Sequence, residues 1–119
     1  MRRKPGALFP IEDAILTAGI DLRRSGTSEF HGFAVAKRMK DIGEAHELTA
    51  HGTLYKALAR MEAAGLLASQ WEDADLALQE GRPRRRLYRI TGAGERVLAA
   101  HRAAAPRPVH EARRRLASS

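Results

Sequence analysis

The sequence predicts a mainly α-helical domain with one small β-hairpin, on three observations. Apolar residues recur at helical spacing in four separate stretches. Between the third and fourth, the period shortens to the alternation of a strand pair. The boundaries fall on proline, glycine and threonine, residues that start or stop helices for steric and hydrogen-bonding reasons.

Pro10 suits the first position of a helix, where its missing N–H costs nothing, and Glu12 and Asp13 then face the exposed amides of the first turn. Ile11, Ile15, Ala18 and Leu22 form one apolar stripe on this helix, and Leu16 and Ile20 begin a second. A helix apolar on two sides is either deeply buried or shared with another chain. Ser25-Gly26-Thr27-Ser28 ends it with turn chemistry. A second helix is predicted from Gly32 to Ile42, with Val35, Met39 and Ile42 inward and Gly43 as its stop. Thr49 is expected to cap a third helix that runs to Gly65, with Leu54, Leu58 and Met61 buried.

Leu66 to Trp71 reads as a strand and Arg86 to Ile90 as its return, with Asp73 to Arg84 as a hairpin connection containing Gly81 and Pro83. Trp71, the one tryptophan, is expected in the core beneath the hairpin. Thr91 caps a fourth helix that runs to about Ala105, where Pro106 and Pro108 interrupt it. Residues 1–9 are expected to be a flexible basic arm, 10–91 the folded domain, and 92–119 a C-terminal helix with a basic tail. Three helices, a two-stranded hairpin and a closing helix make a winged helix-turn-helix: a three-helix core, a wing and a C-terminal helix.

A chain of 119 residues fits one domain and one modest core. Without cysteine it has no disulfide, thiolate metal site or cysteine nucleophile. Its five histidines show no ligand spacing except His46 with His51, and that pair straddles a helix start, so no metal is expected. No serine or aspartate sits in a nucleophile motif and no glycine-rich phosphate loop is present, so no catalytic residue is expected. No apolar run approaches the ~18 residues of a membrane span, and the basic start is broken by Pro10 and Glu12-Asp13, so a cytoplasmic location is expected.

The net charge of +7 favours a polyanionic partner, and its placement narrows the choice. On the third helix, Thr49, Gly52, Lys56 and Arg60 lie opposite the apolar stripe, with Thr53 at the border. Such a face suits the major groove of double-stranded DNA: Lys56 and Arg60 can reach phosphates or guanine edges, and Gly52 permits close backbone approach. Arg82, Arg84, Arg85, Arg86 and Arg89 crowd the end of the connection and the return strand, where a wing can deliver them to the DNA backbone or a narrow minor groove. Glu72, Asp73, Asp75 and Glu80 partly offset them.

Three separated motifs resemble the PadR family of transcriptional regulators. They are His31-Gly32-Phe33-Ala34-Val35-Ala36, Gly52-Thr53-Leu54-Tyr55 with Leu58, Met61-Glu62 and Gly65-Leu66-Leu67, and Arg85-Arg86-Leu87-Tyr88-Arg89-Ile90-Thr91 with Gly94. The resemblance implies a homodimeric repressor that binds a palindromic operator. It places Thr49, Gly52, Thr53, Tyr55 and Lys56 in the major groove, with the wing arginines behind them. It implies dimerisation through the first and last helices, which assigns Ile11, Ile15, Leu16 and Ile20 on one, and Val97, Leu98 and His101 on the other, to the interface. Lys56 stands where the family commonly has proline, and Pro106 and Pro108 shorten a helix that is usually long. Some members stack flat aromatic compounds on a tryptophan of the last helix, but Trp71 lies on a strand and does not inherit that role. No cofactor is expected, and a small-molecule effector is left open. The alternative is a winged-helix protein-interaction module without specific DNA binding. With one tryptophan, two tyrosines and three phenylalanines, single-stranded RNA recognition is poorly supported.

Overall fold

The computed structural model describes residues 8–42 and 51–104, and of His51 the backbone alone. Its elements are α1 (Pro10–Arg24), α2 (Gly32–Asp41), α3 (His51–Ala63), β1 (Leu67–Trp71), α4 (Ala74–Gln79), β2 (Arg86–Ile90) and α5 (Gly92–Ala104). This is the mainly helical, hairpin-bearing fold that the sequence predicts. Thr49 with its capping role, Gly43, His46, Pro106, Pro108 and His110 lie outside the described residues, as does the arm up to residue 7.

Pro10 opens α1, and the Glu12 carboxylate accepts a hydrogen bond from the Phe9 N–H at 2.9 Å, satisfying an amide that the helix leaves free. Leu8 is buried and Phe9 packs against the core, so the last two residues of the expected arm belong to the folded body. Ile15, Leu16 and Ala18 have no exposed surface and Ile11 retains 8%. The first stripe of α1 and Leu16 of the second are covered from within the chain, because α1 packs against α2, α3, β2 and α5 at once, and Ile20 is half-buried.

Val35 and Met39 of α2 join this core, as do Leu54, Leu58 and Met61 of α3. Ile42 does not: it caps α2 at 40% exposure, one residue past the last helical residue, Asp41. Gly65, at φ +79°, ends α3; its N–H reaches the Glu62 carbonyl at 3.0 Å and the Leu66 N–H reaches Met61 at 2.9 Å. A left-handed residue at this point closes the last carbonyls of the helix, and only glycine takes that conformation without strain.

β1 and β2 pair antiparallel in a register running from Leu67 opposite Ile90 to Trp71 opposite Arg86. Phe30 adds a bridge on the other edge of β2, exchanging two backbone hydrogen bonds with Tyr88. The hairpin connection carries a short helix, α4. Asp73 accepts from the Asp75 N–H at 2.8 Å and starts α4, in which Ala77 is buried. The Thr91 hydroxyl joins two helix ends, donating to the Gly65 carbonyl at 2.6 Å and accepting from the Gly94 N–H at 3.0 Å.

Candidate nucleic-acid interface

The outer face of α3 is open. Gly52, Thr53, Tyr55 and Lys56 are exposed while Leu54 and Leu58, on the other side, are buried. Lys56 has no ion-pair or hydrogen-bond partner among the described residues. A Cβ placed on Gly52 would meet nothing within 4 Å, so internal packing does not require glycine there. Gly32 differs: a Cβ there would lie 2.5 Å from the Tyr55 hydroxyl oxygen. The first turns of α2 and α3 therefore touch, with half-exposed Tyr55 as the contact.

His31 extends this surface toward the hairpin. Its Nδ1 accepts from the Ala34 N–H at 3.2 Å, capping α2, and its Nε2 lies 3.1 Å from Arg85 Nη1. Partial burial, and then the charges of Arg85 and Arg82, hold the His31 pKa below its ordinary value. Phe33, 64% exposed, stacks against it. His31 was visible in the sequence as the residue before a helix start and the first of a family-like motif; its contact with Arg85, 54 positions away, was not.

The hairpin arginines are not equivalent. Arg82 is clamped, with its Nη1 and Nη2 at 2.6 and 2.8 Å from the two Glu72 oxygens and its Nε at 2.6 Å from Glu80. Those hydrogen bonds, helped by the Arg85 backbone N–H, draw the Glu72 carboxyl down to about 2 against the opposing effect of desolvation. Arg86 is likewise engaged, its Nε donating to Ser69 Oγ at 2.9 Å and its Nη2 lying 3.7 Å from Glu62. Arg84 donates its Nε to the Glu72 carbonyl at 3.0 Å, and Arg85 is exposed beside His31. Trp71 is not in the core: it is 56% exposed, and the guanidinium carbons of Arg84 and Arg86 lie 5.7 and 5.1 Å from the centre of its ring.

Arg60 also departs from expectation. It sits over the Phe9 ring and donates to Glu12, whose side chain is wholly buried, at 2.9 Å. It anchors α3 to α1 and is not a free groove-facing cation. Among the residues assigned to self-association, Ile11, Ile15, Leu16 and Leu98 lie inside this chain's own core, so they offer no surface to another copy. Ile20 and Val97 are half-buried against that core. His101 accepts from the Leu8 N–H at 3.3 Å and faces Asp13 at 3.4 Å. Among the described residues, no cluster of ligating side chains could hold a metal, and no helix is long and apolar enough to cross a membrane.

Comparison with known proteins gives this surface a family. Residues 23–100 match the model of the transcriptional regulator PadR-like family. A PadR family transcriptional regulator from Eggerthella lenta DSM 2243 is similar in structure, with 31% identity and a TM-score of 0.55 over 75% of this chain and 68% of that one. A PadR family transcription regulator from hypervirulent Clostridium difficile R20291 gives 25% identity and a TM-score of 0.59 over 78% and 83%. A transcriptional regulator from Clostridium thermocellum, at 24% identity and a TM-score of 0.57 over 75% and 73%, shares the fold. No curated protein matches the chain. With a family match over most of its length, and with α3, the start of α2 and the hairpin joined in one surface, the chain belongs to the PadR-like family and is a transcriptional regulator, not an enzyme.

Proposed function

We propose that the protein is a homodimeric, sequence-specific repressor that binds a palindromic operator in double-stranded DNA. One observation carries this reading: the outer face of α3 presents Lys56, unpaired among the described residues, beside Gly52, and it continues through Tyr55 and His31 to the exposed Arg85 of the hairpin. A helix face of this kind fits the width of the major groove, while Arg85 and Arg84 stand where a wing meets phosphates. Thr53 and Lys56 are the side chains in reach of base edges, and Arg60 and Arg82 serve the fold.

A single module reads few base pairs, so a second copy related by a two-fold axis supplies the other half-site, ~34 Å away. Ile20, Val97 and Ile42 are the apolar groups that α1, α5 and the end of α2 leave partly uncovered, and they support association on that side. No cofactor takes part in this reading. Operator occupancy by the dimer blocks transcription.

The test is selection of sites from a random duplex pool, followed by fluorescence anisotropy and sedimentation of protein with the selected duplex. A dyad-symmetric site bound by two chains, with affinity falling steeply with salt, is the expected result. Salt-insensitive or undetectable duplex affinity would leave the winged helix as a scaffold for protein contacts.

A further inference from the structure

Trp71 is the least expected side chain of the hairpin. It ends β1 directly opposite Arg86, on the face that carries Leu67, Ser69, Tyr88 and Ile90. At its base this face is buried: Leu67, Tyr88 and Ile90 belong to the core. Farther out the same face leaves the core, and the indole emerges 56% exposed. A large aromatic held in water loses much of its burial energy, so its location calls for another physical cause.

That cause is visible in its neighbours. The guanidinium carbons of Arg84 and Arg86 both lie within 6 Å of the ring centre, the range in which the π-face attracts a cation. Each of these arginines is also fixed at its Nε, Arg84 by the Glu72 carbonyl and Arg86 by Ser69 Oγ. Their outer ends differ. Arg86 points its Nη2 toward Glu62 of α3, whereas the Arg84 terminal nitrogens meet no acceptor among the described residues. Arg84 is thus a guanidinium with a fixed stem, a flat support and two free NH₂ groups. That is the fork that matches two oxygens of one phosphate. A free surface arginine must give up rotamer freedom when it binds; one held on an indole has given it up already.

We propose that Trp71 is a positioning residue of the DNA interface, holding Arg84 so that its terminal nitrogens grip a backbone phosphate of the duplex. The proposal rests on the DNA-binding reading above and adds to it which wing arginine makes the contact and what orients it. Arg82 and Arg86 are excluded from the role by their carboxylate partners.

The experiment uses the full chain and its selected duplex, following labelled-DNA anisotropy and tryptophan emission in one titration. Since Trp71 is the only tryptophan, its emission reports on the hairpin alone. Expected are a change in Trp71 emission on DNA binding and a loss of about two- to fivefold in affinity for Trp71→Ala. Trp71→Phe should restore most of that loss. Arg84→Ala should lose at least as much and lower the salt slope by about one. The double variant should bind no worse than Arg84→Ala alone, since without Arg84 the indole has nothing to position. A merely structural tryptophan would give losses that multiply, and that result overturns the proposal. So does wild-type affinity in Trp71→Ala. If the wild-type chain binds no duplex, the DNA-binding reading fails first and takes this one with it; if it binds with Trp71 silent and replaceable, only the proposal falls.

Discussion

The outer face of α3 and the hairpin connection are both rich in cations, yet they use them in opposite ways. On α3, Lys56 has no partner and Gly52 no close neighbour among the described residues, while Arg60, one turn beyond Lys56, is taken up by buried Glu12. In the hairpin, Arg82 is clamped by Glu72 and Glu80 and Arg86 by Ser69 and Glu62, while Arg84, Arg85 and Arg89 keep an outward end. A cation with a carboxylate 2.6–2.9 Å away contributes to the fold and adds little to the field that a distant phosphate feels. The number of basic residues in a segment therefore overstates its capacity to attract DNA. What matters is which of them still lack a partner.

The comparison is broken most directly at Glu72, where Arg82 makes two hydrogen bonds to the carboxylate and the Arg85 N–H a third. Glu72→Ala should loosen the whole connection, lowering the melting temperature measured by circular dichroism and weakening DNA binding with it, because Arg82 and the Arg85 backbone N–H lose their acceptor. The pH dependence has a definite sign. The carboxyl is held at about 2 in the fold against an ordinary 4.5, so its contribution is complete above 4.5 and is lost as pH falls toward 2. The wild-type melting temperature should drop through that window, and Glu72→Gln should drop less.

Arg60→Ala comes next. It removes a charged hydrogen-bond donor from the wholly buried Glu12 carboxylate, which should cost about 1–3 kcal/mol in denaturant unfolding. The affinity of the folded protein for its duplex should stay close to wild type. Lys56→Ala should do the reverse, changing stability by no more than ~0.5 kcal/mol and lowering the salt slope of binding by about one. If Arg60→Ala weakened DNA binding as much as Lys56→Ala, the division between anchoring and free cations on α3 would be wrong.

The parts of this structure that could be read in the sequence are those set by local chemistry. Pro10 starts α1, Gly65 ends α3, Thr91 starts α5, and the alternation of Arg86 to Ile90 makes a strand. Each needs only neighbours within a few residues. Periodicity also showed that α1 is apolar on two sides, but not what covers it: the cover is α2, α3, β2 and α5 of the same chain, which made Ile15 and Leu16 core residues instead of interface residues. The roles of Arg60 and Arg82 depend on carboxylates 48 and 10 positions away, and no helical wheel contains them. Trp71 was misplaced for a related reason. Alternation put it on the inward face of β1, and the strand runs farther than the core does.

Gly52 provides the finest test of the difference between the two regions, because folding and binding should respond with opposite signs. It lies in the first turn of α3, and a Cβ there would touch no atom of the described residues. Alanine is the better helix former, so Gly52→Ala should raise stability by up to about 1 kcal/mol. A methyl group that costs the fold nothing still projects from the surface that meets the groove, and it should hold the α3 backbone away from the duplex. Affinity should therefore fall while the melting temperature rises slightly. Gly32→Ala separates this from a general intolerance of α2 and α3 to added bulk: there the new Cβ runs into the Tyr55 ring, and stability should fall together with binding. If Gly52→Ala bound as tightly as wild type, the closest approach to DNA would lie elsewhere on α3, and Lys56 would act as a long-reaching phosphate contact beside an unoccupied first turn.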